Sequence, residues 1–199
     1  MNMTPREREA FMRDASHEQV MTILEKCSMT NLLPPNMALA LVNRKNHDEI
    51  MYYIQKLPLW SKAEAALFQL GDKELILTYV RKRSLFRPGE EALIKRGQHD
   101  EIMAYLENHG FTSSGLKFLI ERGNTEEITA AAKFSFGPDV ENFLIEHGVH
   151  EQIMAYIALH PLFSDPQEIA LVQRGNPREI DFYQKTHGFR SEAQKLLNA

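Results

Sequence analysis

Residues 97–123 read GQHDEIMAYLENHGFTSSGLKFLIERG, and the closing glycine opens a further passage of the same kind. Glycines recur at Gly71, Gly97, Gly123, Gly148 and Gly175, at intervals of 26, 26, 25 and 27. The segments that follow them are alike: DKELILTYV, QHDEIMAYL, NTEEITAAA, VHEQIMAYI and NPREIDFYQ, with NHDEIMYYI one period earlier from Asn46. A fixed period of this length marks a repeat architecture, and no other feature constrains the fold as strongly.

Within each unit the apolar residues predict two short helices. In the first they fall at i, i+3 and i+4, as in Ile102, Tyr105 and Leu106 or Ile153, Tyr156 and Ile157, which is the helical period. Asn46 with Glu49, Asn124 with Glu127 and Asn176 with Glu179 have capping-box spacing at its start. Breakers at Pro58, Pro88, Gly110, Gly137, Pro161, Pro166 and Gly188 end it. The second helix opens at Ser61-x-x-Glu64, Ser164-x-x-Gln167 or Ser191-x-x-Gln194 and closes on Arg96, Arg122, His147 or Arg174 before the glycine, where a cation suits the helix dipole. Helices of this length are marginal alone in water, so stacking must stabilise them.

The chain is therefore expected to be all-α and a single domain. Residues 1–45 form a capping helix and a degenerate first repeat, SHEQVMTIL from Ser16, and 46–199 form six repeats: 46–71, 72–97, 98–123, 124–148, 149–175 and 176–199. The polar helix from Pro5, entered through Thr4-Pro5-Arg6-Glu7, suits an end cap. On these repeats the chain resembles the α-solenoid superfamily of HEAT, armadillo and tetratricopeptide arrays over essentially its whole length. That resemblance implies a right-handed stack of about seven hairpins, with a surface that holds a peptide, a folded protein or, in some branches, nucleic acid.

Composition narrows the function. With 43% apolar and 25% charged residues the chain has globular proportions, and a net charge of -4 argues against a protein built to wrap nucleic acid or an anionic membrane. The acidic excess sits in residues 124–199, with six basic against eleven acidic groups. Cys27 is alone, so neither an internal disulfide nor a thiolate metal site is available, and its place beside Lys26 is weighed as an activated thiol against an inert one. No apolar leader core and no run of eighteen apolar residues occurs. A cytoplasmic location is expected, with secretion by a route needing no cleaved leader left open.

Several ladders invite functional readings. Tyr53, Tyr79, Tyr105, Tyr156 and Tyr183 share one position, and are read as inter-repeat packing with the hydroxyl at the rim in preference to stacking platforms. Ala131 breaks this ladder in the shortened fourth unit and is a candidate notch for a partner's side chain. Met51, Met103 and Met154 are read as flexible filler. The recurring histidines, among them His109, His160 and His187, are read as helix-end residues, because equivalent positions lie about 10 Å apart and zinc donors bind at ~2.0–2.1 Å. Arg81, Lys82, Arg83 and Arg87 form the densest basic cluster, read either as a solvated turn or as a grip on phosphate or an acidic partner. No phosphate loop, nucleophile elbow or paired-histidine zinc motif is present, and no cofactor or metal is implied. The reading is a non-enzymatic protein-interaction scaffold. Alternatives are a nucleic-acid-binding or processing protein on a HEAT-like scaffold, and a microbial effector that engages a host protein.

Overall fold

The computed structural model describes residues 4–199, and among them it holds fifteen α-helices and no strand. Packing divides the chain into two compact units, Met1–His109 and Gly110–Ala199. In a repeat array each element touches mainly its neighbours, so no shared central core obliges the chain to form one body.

In the first unit, α1 (Pro5–Asp14), α3 (Pro35–Asn43), α5 (Ser61–Leu70) and α7 (Arg87–Arg96) pack successively as one row. The helices α2 (His17–Leu24), α4 (His47–Lys56), α6 (Lys73–Val80) and α8 (His99–Leu106) form a second. The second unit repeats the arrangement, with α9 (Ser113–Arg122), α11 (Pro138–His147), α13 (Asp165–Arg174) and α15 (Ser191–Leu197) in one row. Its other row holds α10 (Thr125–Ala131), α12 (His150–Ile157) and α14 (Pro177–Thr186). Rows meet between helices joined by the tight polar turn, such as α5 with α6 and α13 with α14. The closest hairpin is thus half a repeat out of phase with the one read from the sequence.

The turn itself is built around glycine. Gly71, Gly97, Gly123 and Gly175 have φ of 73–82°, the left-handed conformation that closes a helix. Gly148 departs from the series with extended backbone, and Lys45 takes the left-handed position in the first repeat.

Across the turn runs a buried ion pair. Arg96 Nε donates to Glu101 at 2.7 Å, Arg122 to Glu127 at 2.9 Å and Arg44 to Glu49 at 2.7 Å, while Arg174 Nε lies 3.2 Å from Glu179. All four glutamates are fully buried. The arginine fork also reaches the preceding repeat. Arg44 donates to the carbonyls of Met12, Arg13 and Ala15, Arg96 to Gly71, and Arg174 to Ile145 and Gly148. Those carbonyls sit at or just beyond helix C-termini and lack intrahelical partners, so one side chain caps the previous helix and neutralises the next carboxylate.

The pair is kept or lost as a whole. In the register of Arg96 and Glu101, the preceding repeat has Leu70 and Leu75, both apolar, and the sixth turn has His147 and Gln152. At this position no repeat keeps the glutamate without its arginine.

Capping therefore differs from the sequence expectation. Asn46 and Asn124 accept the amides of Glu49 and Glu127, but these glutamates turn inward to arginine instead of back to the cap. Ser61 is the first residue of α5, not its cap, and Ser164 binds the Gln167 side chain, not a backbone amide. Reciprocal boxes form where the third residue is exposed, at Thr4 with Glu7 and Ser16 with Gln19.

One close approach tests this packing. A Cβ added to Gly89 meets the Glu64 carboxyl carbon at 2.6 Å. Gly89→Ala should lower the unfolding free energy measured in urea, although alanine within a helix otherwise gains about 1 kcal/mol over glycine. A stabilised variant would show that Glu64 is free to move aside.

Candidate interaction surface

The tyrosine ladder faces the interior. Tyr53, Tyr79, Tyr105, Tyr156 and Tyr183 are at most 1% exposed, and their hydroxyls are buried, not at the rim as the sequence suggested. Each of the last four accepts the amide of the loop residue twenty or twenty-one positions earlier: Leu59, Leu85, Phe136 and Leu162, at 3.0–3.2 Å. The hydroxyl then meets a buried glutamate fifteen residues upstream. Tyr156 donates to Glu141 at 2.6 Å and Tyr183 to Glu168 at 3.0 Å, while Tyr79 lies beside Glu64. The second carboxylate edge accepts an amide just ahead of the next helix in the row, from Phe86 to Glu64, Phe163 to Glu141 and Arg190 to Glu168.

This arrangement gives Ala131 a physical account. Fifteen residues before it stands Leu116, so the phenol and the carboxylate are replaced together. Ala131 is itself fully buried, beneath the surface where the sequence reading placed a notch. In the first repeat Ala38 replaces the glutamate while Tyr53 remains, and the buried Tyr53 hydroxyl faces the Leu33 backbone with no carboxylate to meet.

The structure places the basic cluster in two orientations. Arg83 is half-buried and donates to the Lys56 carbonyl at 2.8 Å, and Arg87 pairs with Glu91 at 3.1 Å. Arg81 and Lys82 remain exposed at the end of α6, with no ion pair among the described residues. The histidines are likewise occupied by neighbouring repeats. His160 and His187 bind the carbonyls of Ala132 and Ile157, and His47 binds Asp72. That last hydrogen bond raises the His47 pKa. Cys27 is half-buried, and burial raises its thiol pKa, which disfavours the reactive thiolate. Among the described residues no cluster of three metal-ligating side chains occurs, and no helix is long and apolar enough to cross a membrane.

What stays outside is an aromatic series the sequence reading missed. Trp60, Phe86 and Phe163 occupy one repeat position at the entry to α5, α7 and α13, and are 38%, 50% and 64% exposed. Each follows a buried leucine, Leu59, Leu85 or Leu162, whose amide the tyrosine holds. The signal in the sequence was the Leu-aromatic dipeptide at the hairpin loop. Thr112, Gly137 and Arg190 interrupt the pattern in other repeats.

Hollows lie between neighbours of the same helix row, and Trp60 lines one of them. In the first unit one of about 470 Å³ is lined by Pro35, Leu39, Trp60 and Lys62, and another of about 560 Å³ by Phe68, Pro88, Glu91 and Ala92. In the second unit a hollow of about 480 Å³ separates α11 from α13, with Ile145, Ala170 and Gln173 in its walls. No known protein family, curated protein or solved structure is detectably similar to this chain.

The buried carboxyls make a pH prediction. Glu64 is fully buried with no cation beside it, and burial, only partly opposed by the Phe86 amide and reinforced by Glu90, pushes its pKa up to about 8. Folding then holds a proton that the unfolded chain releases above its ordinary value of 4.5. Stability from this site is full below that value and is lost as pH rises towards about 8. Thermal melts from about pH 5 to about pH 8 should show the native chain losing stability relative to Glu64→Gln. Parallel curves would show that Glu64 is ionised in the folded protein.

Proposed function

We propose that the chain is a non-enzymatic protein-interaction scaffold, a right-handed α-solenoid of about seven hairpins acting in the cytoplasm. The observation that carries this reading is how the side chains are apportioned. The recurrent tyrosines, glutamates, arginines and histidines bind neighbouring repeats, while Trp60 and Phe86 in the first unit and Phe163 in the second stay exposed at helix entries, with Trp60 walling a hollow. Large half-exposed aromatics beside concavities are the usual anchors of protein interfaces. The two outward cations, Arg81 and Lys82, fit a role at the rim of such an interface better than a phosphate track, which requires cations in successive units.

A photo-cross-linking residue placed in turn at Phe86, Gln69 and Phe163, in cells of the source organism, tests this reading. Discrete polypeptide adducts are expected from at least one position. Adducts to nucleic acid alone, or none from any of the three, would overturn it.

A further inference from the structure

The Trp60–Phe86 edge of the first unit carries enough chemistry to specify a ligand, and this inference rests on the scaffold reading above. Trp60 Nε1 donates to the Leu33 carbonyl at 2.6 Å, which fixes the ring, and its exposed part walls the hollow that also holds Pro35 and Leu39. This is a socket for one apolar side chain. One helix further along the row stands Phe86, half-exposed at the entry to α7, and Pro88 begins the next hollow. Packed helices lie ~8–10 Å apart, so the two anchors are separated by about that distance.

A polyproline-II segment rises ~3.1 Å per residue with three residues per turn, so its side chains i and i+3 share a face about 9 Å apart. A β-strand puts i and i+3 on opposite faces. The polyproline-II repeat therefore matches the two anchors, and proline-rich segments bind aromatic-lined grooves in this conformation. Charge defines the rest. Lys62 lines the Trp60 hollow, Arg81 and Lys82 are exposed at the end of α6 five and four residues before Phe86, none has an ion pair among the described residues, and Arg87 is neutralised by Glu91. Glu9, the acid in the hollow's wall, lies at the far side from α6 and opposes a continuous phosphate backbone.

We propose that this edge binds an acidic peptide in polyproline-II conformation, with apolar side chains at i and i+3 on Trp60 and Phe86 and carboxylates facing Lys62, Arg81 and Lys82.

Trp60 is the only tryptophan in the chain, so its fluorescence reports on the site directly. The probe is the peptide Asp-Pro-Leu-Asp-Glu-Leu-Pro-Asp, compared with the same peptide carrying lysine at every acidic position and with a twelve-nucleotide oligo-dT. The full-length protein should give a saturable shift in Trp60 emission with the acidic peptide, weakened at least tenfold in Phe86→Ala and in the Arg81→Glu, Lys82→Glu double variant. Raised salt should weaken it further. No shift at millimolar acidic peptide, an equal response to the lysine peptide, or tighter binding of oligo-dT would each overturn the proposal. If cross-links to polypeptide still form at Gln69 or Phe163 after that failure, the scaffold reading survives with its surface elsewhere.

Discussion

The rest of this structure depends on the arginine and glutamate that meet across four of the polar turns. A carboxylate removed from water loses several kcal/mol of hydration, and recovers it only if opposite charge and hydrogen bonds fill its oxygens. Arg96 supplies the charge and one hydrogen bond, to Glu101 Oε2, while Oε1 has no hydrogen-bond partner, and it caps Gly71 in the repeat before. One side chain thus fixes the turn, the exit of one helix and the distance to the next. Helices of seven to ten residues have little stability of their own, and cross-repeat contacts of this kind set their register.

A second polar system holds the opposite edge. There the tyrosine hydroxyl links a loop amide to a buried glutamate, and the glutamate accepts an amide just ahead of the next helix, as in Phe136, Tyr156, Glu141 and Phe163. The loop backbone is satisfied from inside the stack, so the residue after the held amide is free to point outward. This is why Trp60, Phe86 and Phe163 are exposed beside buried leucines. The surface proposed for binding is a by-product of how the interior is wired.

The period, the helix boundaries and the glycine stops were legible in the sequence because they follow local rules: helical spacing, breakers and left-handed glycine. The histidines were expected as helix-end residues, but the bonds of His160 and His187 to carbonyls of the preceding repeat were not foreseen. The carboxylates were not legible, since Asn46-x-x-Glu49 and Ser61-x-x-Glu64 look like capping boxes whether the glutamate folds back or turns inward. Only the neighbouring repeat decides, through Arg44 in one case and Phe86 in the other. The tyrosine hydroxyls were misplaced for the same reason, because their partners lie fifteen and twenty residues away. Paired losses within the chain, Leu70 with Leu75 and Leu116 with Ala131, were visible all along, but without the contact they did not read as pairs.

Nature has made the substitution that tests the account, at Leu70 and Leu75, and the same change is available one repeat later. Urea unfolding followed by Trp60 fluorescence, on Arg96→Leu, Glu101→Leu and the double variant, measures the coupling. If the ion pair is the organising interaction, each single change costs about 3 kcal/mol or more by leaving one buried charge, and the double variant recovers most of that loss. Additive costs, with the double variant as weak as the sum of the singles, would contradict it.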